Sequence, residues 1–469
     1  MDQSTIAAIS TPLGPGGIGV IRISGPEALS IMDKLFVKTC QATKPEGAKK
    51  GPHFFKSHRV YYGHIVDPKQ EKVIDEVLAI YMQAPNSFTR EDVVEIQAHS
   101  GYVVLDRLLN AVLDSGARLS EPGEFTKRAF LNGRIDLTQA EAVIDLINAP
   151  CEAAVQMANR QMSGLLKKEV EQIVSGIMNI RSRLEADLEF SEGGDANIAW
   201  KNIETEITST ILEPIEKLIQ AQKDTAIYRD GVHLSIGGVP NVGKSSLLNQ
   251  LVQKETAIVS EVPGTTRDVI REYFSINGIP VVICDTAGLH DSDDPIEIIG
   301  IQKAHEQIEC ADVLLFVVDA TREISVNEEK LIEKYKEKKT FFLINKIDIA
   351  CEDAIDKLVK KIKHPQIFSI SAKTGMGIDS LIAQIFKGIV SADAVMSYDH
   401  AMPNLRQRKV LEKAQQQIQA CLEASNTMQK EDLVADMLKN AVQTLDEVGG
   451  QRKMDDLYEQ IFNQFCIGK

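Results

Sequence analysis

The segment at 238–245, GVPNVGKS, combines residue types and spacing that could do chemistry, because it fits the pattern G-x-x-x-x-G-K-S/T. Glycines let a backbone turn tightly, so that successive N–H groups point at phosphate oxygens. In this pattern the ammonium group of Lys244 faces the β- and γ-phosphates, and the Ser245 hydroxyl is a ligand for Mg²⁺. A predicted strand at 232–236 precedes the segment and a predicted helix at 245–251 follows it. That context favours a phosphate-binding loop over an incidental glycine turn.

Three further motifs follow along the chain, each at the end of a predicted apolar strand. DTAG begins at Asp285, which it places near Mg²⁺, and its glycine falls near the γ-phosphate. NKID ends at Asp348, whose carboxylate can accept two hydrogen bonds from the guanine N1–H and N2–H₂; the wrong base would leave such groups unpaired. SAK, at 371–373, would present a backbone N–H to the guanine O6. Ligands at the carboxyl ends of strands are typical of doubly wound α/β folds, and the motifs together resemble a translation-factor-type GTPase domain.

The predicted GTP site combines these motifs with the segment SEVPGTTRD at 260–268, which is predicted to be switch I. One of its threonines should complete the Mg²⁺ shell, and we assign Thr266 beside Ser245. The residues predicted to bind GTP are Asn241, Val242, Gly243, Lys244, Ser245, Ser246, Ser260, Glu261, Val262, Pro263, Gly264, Thr265, Thr266, Asp285, Thr286, Ala287, Gly288, Asn345, Lys346, Asp348, Ser371, Ala372 and Lys373.

The hydrolytic machinery departs from the Ras pattern. Ras-like proteins place a glutamine after the D-x-x-G glycine to orient the attacking water, and Leu289 stands there instead. Leucine cannot hydrogen-bond a water, so either this GTPase is slow or another group, in this chain or in another protein, supplies the function. Arg267 lies in switch I, and the loop at 290–297 holds several carboxylates.

Composition limits the class of protein. The 469 residues suggest roughly three domains, and the net charge of −15 argues against a general nucleic-acid coat. The segment at 34–59 is locally basic; a solvated loop is the favoured interpretation, and an RNA contact is the alternative. No signal peptide and no membrane-spanning stretch is predicted, so we expect a cytoplasmic protein with no membrane partner.

The seven cysteines are scattered without a C-x-x-C pair. This spacing is not that of a zinc site, and it is not that of the disulfide framework of a secreted protein. We expect most of these cysteines to be buried thiols.

The N-terminal part predicts one α+β domain. The segment at 14–19 fits G-x-G-x-x-G, but a strand at 20–24 follows it where a dinucleotide site needs a helix. We therefore predict a glycine-rich connection between two strands. Further strands are predicted at 5–9, 77–81 and 93–96, with helices at 29–36 and 102–113.

The sequence beyond the N-terminal part is helical on both sides of the predicted GTPase domain. We expect helices from residue 136 to about 221, starting with a capping box of Thr138 and Glu141. Later helices are predicted at 405–422, 432–445 and 454–465. The favoured interpretation is one bundle formed by both flanks; a long coiled coil is the alternative, although the apolar spacing is not a sustained heptad.

Four segments carry a resemblance to a known family. TIAA at 5–8, GGIGVIRISG at 16–25, PGEFTKRAFLNG at 122–133 and FCIGK at 465–469 resemble the MnmE (TrmE) family, over the whole chain. These are GTPases that help to modify the wobble uridine of certain tRNAs. The resemblance implies an N-terminal domain similar to folate-binding modules, which also dimerises.

The family resemblance also implies particular site residues. Binding of 5-formyl- or methylene-tetrahydrofolate is implied for Arg22, Glu95, Arg134 and Lys469, with Cys466 either lining that site or being a buried thiol. A potassium ion is implied at Asn241, Ser260, Val262 and Thr265. Glu297 matches the catalytic carboxylate that orients the water, and it would act together with Lys244.

The resulting prediction is a multidomain protein of α/β and α parts. It comprises an N-terminal α+β folate-binding and dimerisation domain at 1–134, a helical domain at 135–230 and 391–469, and a doubly wound P-loop GTPase domain inserted at 231–390. The family acts in a heterotetramer with an FAD-containing flavoprotein, MnmG (GidA), and transfers a one-carbon unit from tetrahydrofolate. A carboxymethylaminomethyl- or aminomethyl-type group is thereby added at C5 of uridine 34.

Two functions of other classes remain open at this point. One is a GTP-dependent ribosome-assembly or signalling switch without modification chemistry, and the other is a folate-binding scaffold. Folate retained on purification would separate the first from the predicted enzyme.

Overall fold

The computed structural model describes residues 4–14, 16–38, 55–190, 200–254, 271–276, 278–285, 306, 308–389, 401–428, 431–450 and 455–468. Contacts divide the chain into two units. The first contains residues 1–144, 161–215 and 409–469, and the second contains residues 145–160 and 216–408. The predicted domain boundaries after residues 134, 230 and 390 stay predictions.

The first unit contains a seven-stranded sheet in the order β3-β4-β5-β6-β2-β1-β7. Its strands are β1 (Ile6–Ile9), β2 (Ile18–Ser24), β3 (Phe36–Lys38), β4 (Arg59–Val66), β5 (Val73–Met82), β6 (Val93–His99) and β7 (Arg118–Leu119). Neighbouring strands are antiparallel except β1 and β7, which are parallel. The segment at 14–19 leads into β2, so the prediction of a strand connection is confirmed.

The two faces of this sheet pack against different helices. On one face, alternate residues such as Ile21 and Ile96 contact α1 (Ala28–Leu35) and α2 (Tyr102–Asp114) in one buried cluster. On the other face, Ile6 and Ala8 pack against α3 (Glu124–Leu131) through Phe125. Strand side chains alternate between the two faces of a sheet. On β2, Ile21 and Ile23 therefore belong to the apolar core on one face, and Arg22 lies on the other face.

The helices of the first unit include most of the predicted helical flanks. They are α4 (Leu137–Ile147), whose last residues belong to the second unit, α6 (Leu165–Phe190), α7 (Trp200–Ile207), a π-helical turn (Thr208–Leu212), α14 (Glu431–Gly449) and α15 (Asp455–Phe462). Like α4, three further helices have residues in both units: α5 (Glu152–Met162), α8 (Glu213–Arg229) and α13 (Leu405–Met428). α6 packs along α14 and buries residues at helical spacing, including Ile173, Ile177 and Leu438.

Two local predictions for these helices are wrong in detail. Asp136, rather than Thr138, accepts the backbone N–H of Gln139 at 2.9 Å, and the Gln139 side chain accepts the N–H of Asp136 at 3.0 Å. The cap therefore lies two residues earlier, because the helix begins at Leu137 and Thr138 already lies in its first turn, where its hydroxyl donates to Asp136 Oδ1 at 2.6 Å. The last helix ends at Phe462 rather than Phe465, since the chain turns there to pack its aromatic residues.

The second unit contains a six-stranded sheet in the order β13-β12-β11-β8-β10-β9. Its strands are β8 (Val232–Gly237), β9 (Arg271–Ile276), β10 (Ile279–Asp285), β11 (Val313–Asp319), β12 (Thr340–Asn345) and β13 (Ile367–Ser369). All pairings are parallel except β9 with β10. The helices that follow strands β8, β11, β12 and β13 are α9 (Lys244–Lys254), α10 (Val326–Tyr335), α11 (Glu352–Ile362) and α12 (Ile378–Ile389).

Both faces of this sheet are covered. Along β11, Leu315 and Val317 join the cluster on the face of α9 and α12, whereas Leu314 and Phe316 join the cluster on the face of α10 and α11. A parallel strand buried on both faces is expected to be an unbroken apolar run, as VLLFVVD is. The predicted doubly wound fold of the GTPase domain is confirmed.

Candidate functional site

The phosphate-binding loop joins β8 to α9, at the centre of the second sheet. Gly238 and Gly243 have φ of +139° and +103°, which only glycine adopts readily. A Cβ on Gly238 would lie 2.5 Å from the carbonyl oxygen of Val317, and one on Gly243 would collide with the Asn345 amide. These two glycines are therefore required by conformation and by space.

Lys244 is the first residue of α9, and its side chain turns back over the loop. Its Nζ donates hydrogen bonds to the carbonyl oxygens of Gly238, at 2.9 Å, and Val239, at 3.0 Å. The N–H groups of the first helical turn point toward the same loop, and they favour a negative charge there. The loop between β8 and α9 thus has the conformation expected of a phosphate-binding loop.

The strand register brings the other motifs to the same edge of the sheet. Asp285 ends β10 and pairs with Ile236 on β8, immediately before the loop. Asn345 ends β12 and pairs with Asp319, the last residue of β11. Strands β8, β10, β11 and β12 run parallel, so their carboxyl ends, where a doubly wound fold binds its ligands, lie together.

Asn345 connects three of the predicted motifs. Its Nδ2 donates to the carbonyl oxygen of Val242 at 2.8 Å, and its Oδ1 accepts the backbone N–H of Ala372 at 2.9 Å. The side chain of Ser371 donates to Asp348 at 2.7 Å, which fixes the orientation of that carboxylate. The phosphate loop, the NKID segment and the SAK segment are therefore one hydrogen-bonded structure.

Lys346 lies between the NKID segment and the phosphate loop. Its backbone has φ of +67°, and its Nζ donates to the carbonyl oxygen of Asn241 at 2.9 Å and to Asp319 Oδ2 at 2.5 Å. Asp319 is not among the site residues predicted from the sequence. The signal was available, because Asp319 is a polar residue at the end of an apolar strand, as Asp285 and Asn345 are.

Several predicted site residues lie outside the described part of the chain. They are Ser260, Glu261, Val262, Pro263, Gly264, Thr265, Thr266, Thr286, Ala287, Gly288, Leu289, Glu297 and Lys469. The backbone of Asp285 is described and its side chain is not. Predictions for these residues stay predictions.

A second candidate site lies on the N-terminal sheet. Arg22 on β2 pairs in register with Glu95 on β6, and its Nε donates to Glu95 Oε1 at 2.9 Å. The Arg22 Nη1 donates to the carbonyl oxygen of Gly468 at 3.3 Å. The side chains of Arg22 and Glu95 are 21% and 20% exposed, so the pair is half-buried rather than an ordinary surface ion pair.

Two aromatic rings lie against the arginines of this site. The guanidinium of Arg22 lies 5.7 Å from the ring centre of Phe125, and that of Arg134 lies 5.1 Å from the ring centre of Phe88. Phe88 packs against the cluster that contains Phe125. Both arginines therefore lie against one small aromatic cluster. Phe88 and Phe125 are not among the site residues predicted from the sequence, because aromatic residues at these positions form no distinctive pattern.

Helix α3 is held against the sheet by a buried ionic network. Glu124 accepts hydrogen bonds from Arg118 at 2.8 Å and 2.6 Å and from Arg128 at 3.0 Å, and Arg128 also pairs with Glu91 at 3.0 Å. Burial alone would raise the pKa of Glu124, but the hydrogen bonds from Arg118, the Glu121 backbone and Arg128 outweigh it and lower that pKa. Glu124 therefore stays ionised and fixes the segment that carries Phe125.

The end of the chain docks on the same region. The Phe462 and Phe465 rings stack with their centres 5.7 Å apart, and the N–H of Gly123 donates to the carbonyl oxygen of Cys466 at 3.5 Å. A Cβ on Gly123 would lie 2.5 Å from the carbonyl oxygen of Phe462. This close approach explains the glycine at that position. Contact between the tail and the N-terminal sheet was expected from the predicted role of Lys469.

The expectation of buried cysteines is wrong for most of those that the structure describes. Cys310, Cys351 and Cys466 are exposed, Cys151 is half-buried and Cys421 is buried. The exposed ones lie in loops or next to helix ends, where cores do not reach. Cys466 is thus not the buried thiol that was the alternative to a place in the folate site.

Within the described ranges, no helix combines the length and apolar character needed to cross a membrane. No group of three or more described His, Cys, Asp or Glu side chains has the arrangement of a metal site.

Comparisons with known proteins identify the family of this chain. Residues 5–134 match the family model described as "GTP-binding protein TrmE N-terminus", and residues 137–466 match the MnmE helical domain. The chain is 42% identical to the tRNA modification GTPase MnmE of Desulforamulus reducens, with 100% of both chains covered. It is 41% identical to that of Thermoanaerobacter pseudethanolicus, with 99% of both covered.

Among solved structures, Aquifex aeolicus Era bound to GDP and AlF4⁻ is 30% identical over 40% of this chain and 66% of that one. The TM-score of this match is 0.29. The family models and the full-length relatives show that this chain is a GTP-hydrolysing enzyme and that it belongs to the MnmE (TrmE) family.

Proposed function

We propose that this enzyme uses GTP hydrolysis to drive the modification of certain tRNAs. With an FAD-containing partner, it would add a carboxymethylaminomethyl- or aminomethyl-type group at C5 of the wobble uridine, using a tetrahydrofolate one-carbon unit. The observation that carries this proposal is the presence, in one chain, of a guanine-type nucleotide site and of a separate half-buried Arg22–Glu95 pair next to the docked tail.

The nucleotide half rests on the hydrogen-bonded structure around Asn345. Asp348, oriented by Ser371, would accept the N1–H and N2–H₂ groups of guanine, and Lys373 belongs to the segment that would face the base. Lys244 would stabilise charge on the β- and γ-phosphates, and Ser246 follows the Mg²⁺ ligand Ser245 on α9. Ser245 and Thr266 would provide the hydroxyl oxygens that Mg²⁺ prefers.

One observation supports a potassium ion at the phosphate-binding loop. Asn241 is exposed and has φ of +67°, so an oxygen-bearing side chain occupies the tip of the loop. Ser260, Val262 and Thr265 would complete the set of oxygen ligands. The ion, when bound, supplies positive charge between the β- and γ-phosphates, and Glu297 would orient the attacking water.

The salt dependence of hydrolysis tests this assignment. We expect faster GTP hydrolysis in KCl than in NaCl at equal ionic strength, by about tenfold, which corresponds to ~1.4 kcal/mol of transition-state stabilisation. Asn241→Ala should remove the difference, whereas Asn249→Ala, an exposed asparagine on α9, should keep it. Equal rates in the two salts, together with unchanged activity of Asn241→Ala, would contradict the potassium assignment.

The folate half rests on the chemistry of the N-terminal site. Arg22 and Arg134 are cations that suit the glutamate carboxylates of folate, and Glu95 can accept hydrogen bonds from pterin N–H groups. The Phe125 and Phe88 rings provide an apolar surface beside both arginines. Lys469 follows Gly468, which contacts Arg22, so its charge would belong to the same site. Cys466 is exposed and remains a candidate contact.

The proposal includes partners that resemblance to the family suggests. The chain would form a homodimer through its N-terminal domain, join an MnmG (GidA)-like flavoprotein in a heterotetramer and act on tRNA in the cytoplasm. The decisive measurement is nucleoside analysis of tRNA from cells that lack the gene. We expect loss of the modified wobble uridine and its return with the intact gene but not with Arg22→Ala. Unchanged nucleosides would refute the proposed reaction.

A further inference from the structure

We propose that Asp319 is a positioning residue of the guanine nucleotide site. Its carboxylate holds the ammonium group of Lys346 against the phosphate-binding loop, and this contact sets how long the nucleotide stays bound. The inference rests on the proposed assignment of the NKID segment to guanine binding.

The sheet itself brings the two side chains together. Asp319 and Asn345 are register partners at the ends of β11 and β12, and the backbone N–H of Ala320 donates to the carbonyl oxygen of Asn345 at 2.9 Å. Lys346 follows Asn345 in a left-handed conformation, which turns the chain at the end of the strand. The position of Asp319 beside Lys346 is therefore a consequence of strand pairing.

Both oxygens of the Asp319 carboxylate are engaged. Oδ2 accepts from Lys346 Nζ at 2.5 Å, and Oδ1 accepts from the backbone N–H and the hydroxyl of Thr321, at 2.9 Å and 2.7 Å. Burial would raise the pKa of Asp319, but the hydrogen bonds from Lys346 and Thr321 lower it below its ordinary value. The carboxylate is thus a charged and oriented acceptor at neutral pH.

Lys346 needs such an acceptor. Its side chain is 32% exposed, and the side chain of Asp319 is 7% exposed. A lysine has a flexible four-carbon stem, so without Asp319 it would sample solvent as well as the contact with the Asn241 carbonyl. Ordering it would then oppose nucleotide binding, because a preorganised site avoids that entropic cost.

The variant Asp319→Asn tests the inference, since it keeps the shape of the side chain and removes its charge. We expect a fluorescent guanine nucleotide, both diphosphate and triphosphate, to dissociate about tenfold faster, with Kd raised in proportion. The KM for GTP should rise far more than kcat changes. A purely structural role would lower thermal stability without this selective effect.

The matched control is Glu328→Gln. Glu328 is another buried carboxylate of the same unit, and it pairs with Arg322 at 2.7 Å without contacting Lys346. We expect this variant to lose thermal stability and to keep the nucleotide dissociation rate of the parent. If both variants accelerate dissociation equally, the effect is a general loss of stability and the inference is wrong.

A double-mutant cycle with Lys346→Met separates the inference from the assignment on which it rests. If Lys346→Met weakens nucleotide binding and Asp319→Asn adds nothing further, both stand. If Lys346→Met weakens binding and Asp319→Asn alone has no effect, only the inference fails. If Lys346→Met leaves binding unchanged, the inference fails, whereas the assignment of the NKID segment to guanine is refuted only if Asp348→Asn also binds GTP like the parent.

Discussion

The two candidate sites differ in whether their residues come in short contiguous segments. In the nucleotide site, each motif is such a segment at the end of a parallel strand, even where Asn345 reaches Val242 across 103 residues. In the N-terminal site, single residues come together, and Arg22 contacts Gly468 across 446 residues. The first kind of site is visible as a sequence pattern, whereas the second depends on closure of the whole unit.

The difference has a physical origin. A phosphate-binding loop obtains its donors from consecutive backbone N–H groups, so neighbouring residues must have particular types. A site on the face of an antiparallel sheet takes one side chain from each strand, because successive side chains point to opposite faces. Nothing in the local sequence then marks Arg22 or Glu95 as a pair.

The largest effect should come from the nucleotide site. Asp348→Asn reverses the hydrogen-bond polarity at the base edge, so affinity for GTP should fall by about a thousandfold and affinity for xanthosine triphosphate should rise. Competition titrations with the two nucleotides measure both changes. A variant that binds GTP like the parent would show that the base is recognised elsewhere. The nucleotide site would then not be one that sequence motifs reveal.

An intermediate effect should come from the docked tail. Deleting residues 466–469 removes the Gly468 carbonyl that contacts Arg22 and the charge of Lys469, so affinity for 5-formyl-tetrahydrofolate should fall by about tenfold. tRNA modification should be lost, while GTP hydrolysis stays largely intact because the nucleotide site lies in the other unit. Calorimetric titration provides the measurement.

The control for the tail is Ile467→Ser, which changes an exposed side chain and keeps the backbone. It should bind folate like the parent. Undiminished folate affinity in the truncated protein would refute the docked-tail assignment.

The smallest effect should be on stability, through Glu124. Its pKa is lowered in the folded state, so its ion pairs contribute stability that is fully present above the ordinary value of 4.5 and is lost as the pH falls toward the lowered value. At pH 7, Glu124→Gln should reduce the free energy of unfolding by about 1–3 kcal/mol.

The pH dependence of melting distinguishes this origin from a packing defect. The difference in Tm between parent and variant should shrink when the pH falls below 4.5. The exposed neighbour Glu121→Gln should show little difference at any pH. A gap that is constant from neutral to acid pH would mean that Glu124 stabilises α3 by shape alone.

The sequence by itself determined the elements and the nucleotide motifs. An apolar run before the NKID segment predicted strand β12, and a strand followed by GVPNVGKS predicted the loop that contains Lys244. These predictions succeeded because periodicity and loop conformation are set by neighbouring residues, whose steric preferences act locally.

Only the tertiary structure decided which residues meet. It placed the helix cap at Asp136 rather than Thr138, because the helix begins at Leu137 and Asp136 accepts the free N–H group of Gln139. It also brought Asp319 to Lys346 and Gly468 to Arg22. Such pairs depend on strand register and on the return of the chain end, and both are fixed by the packing of residues that are distant in sequence.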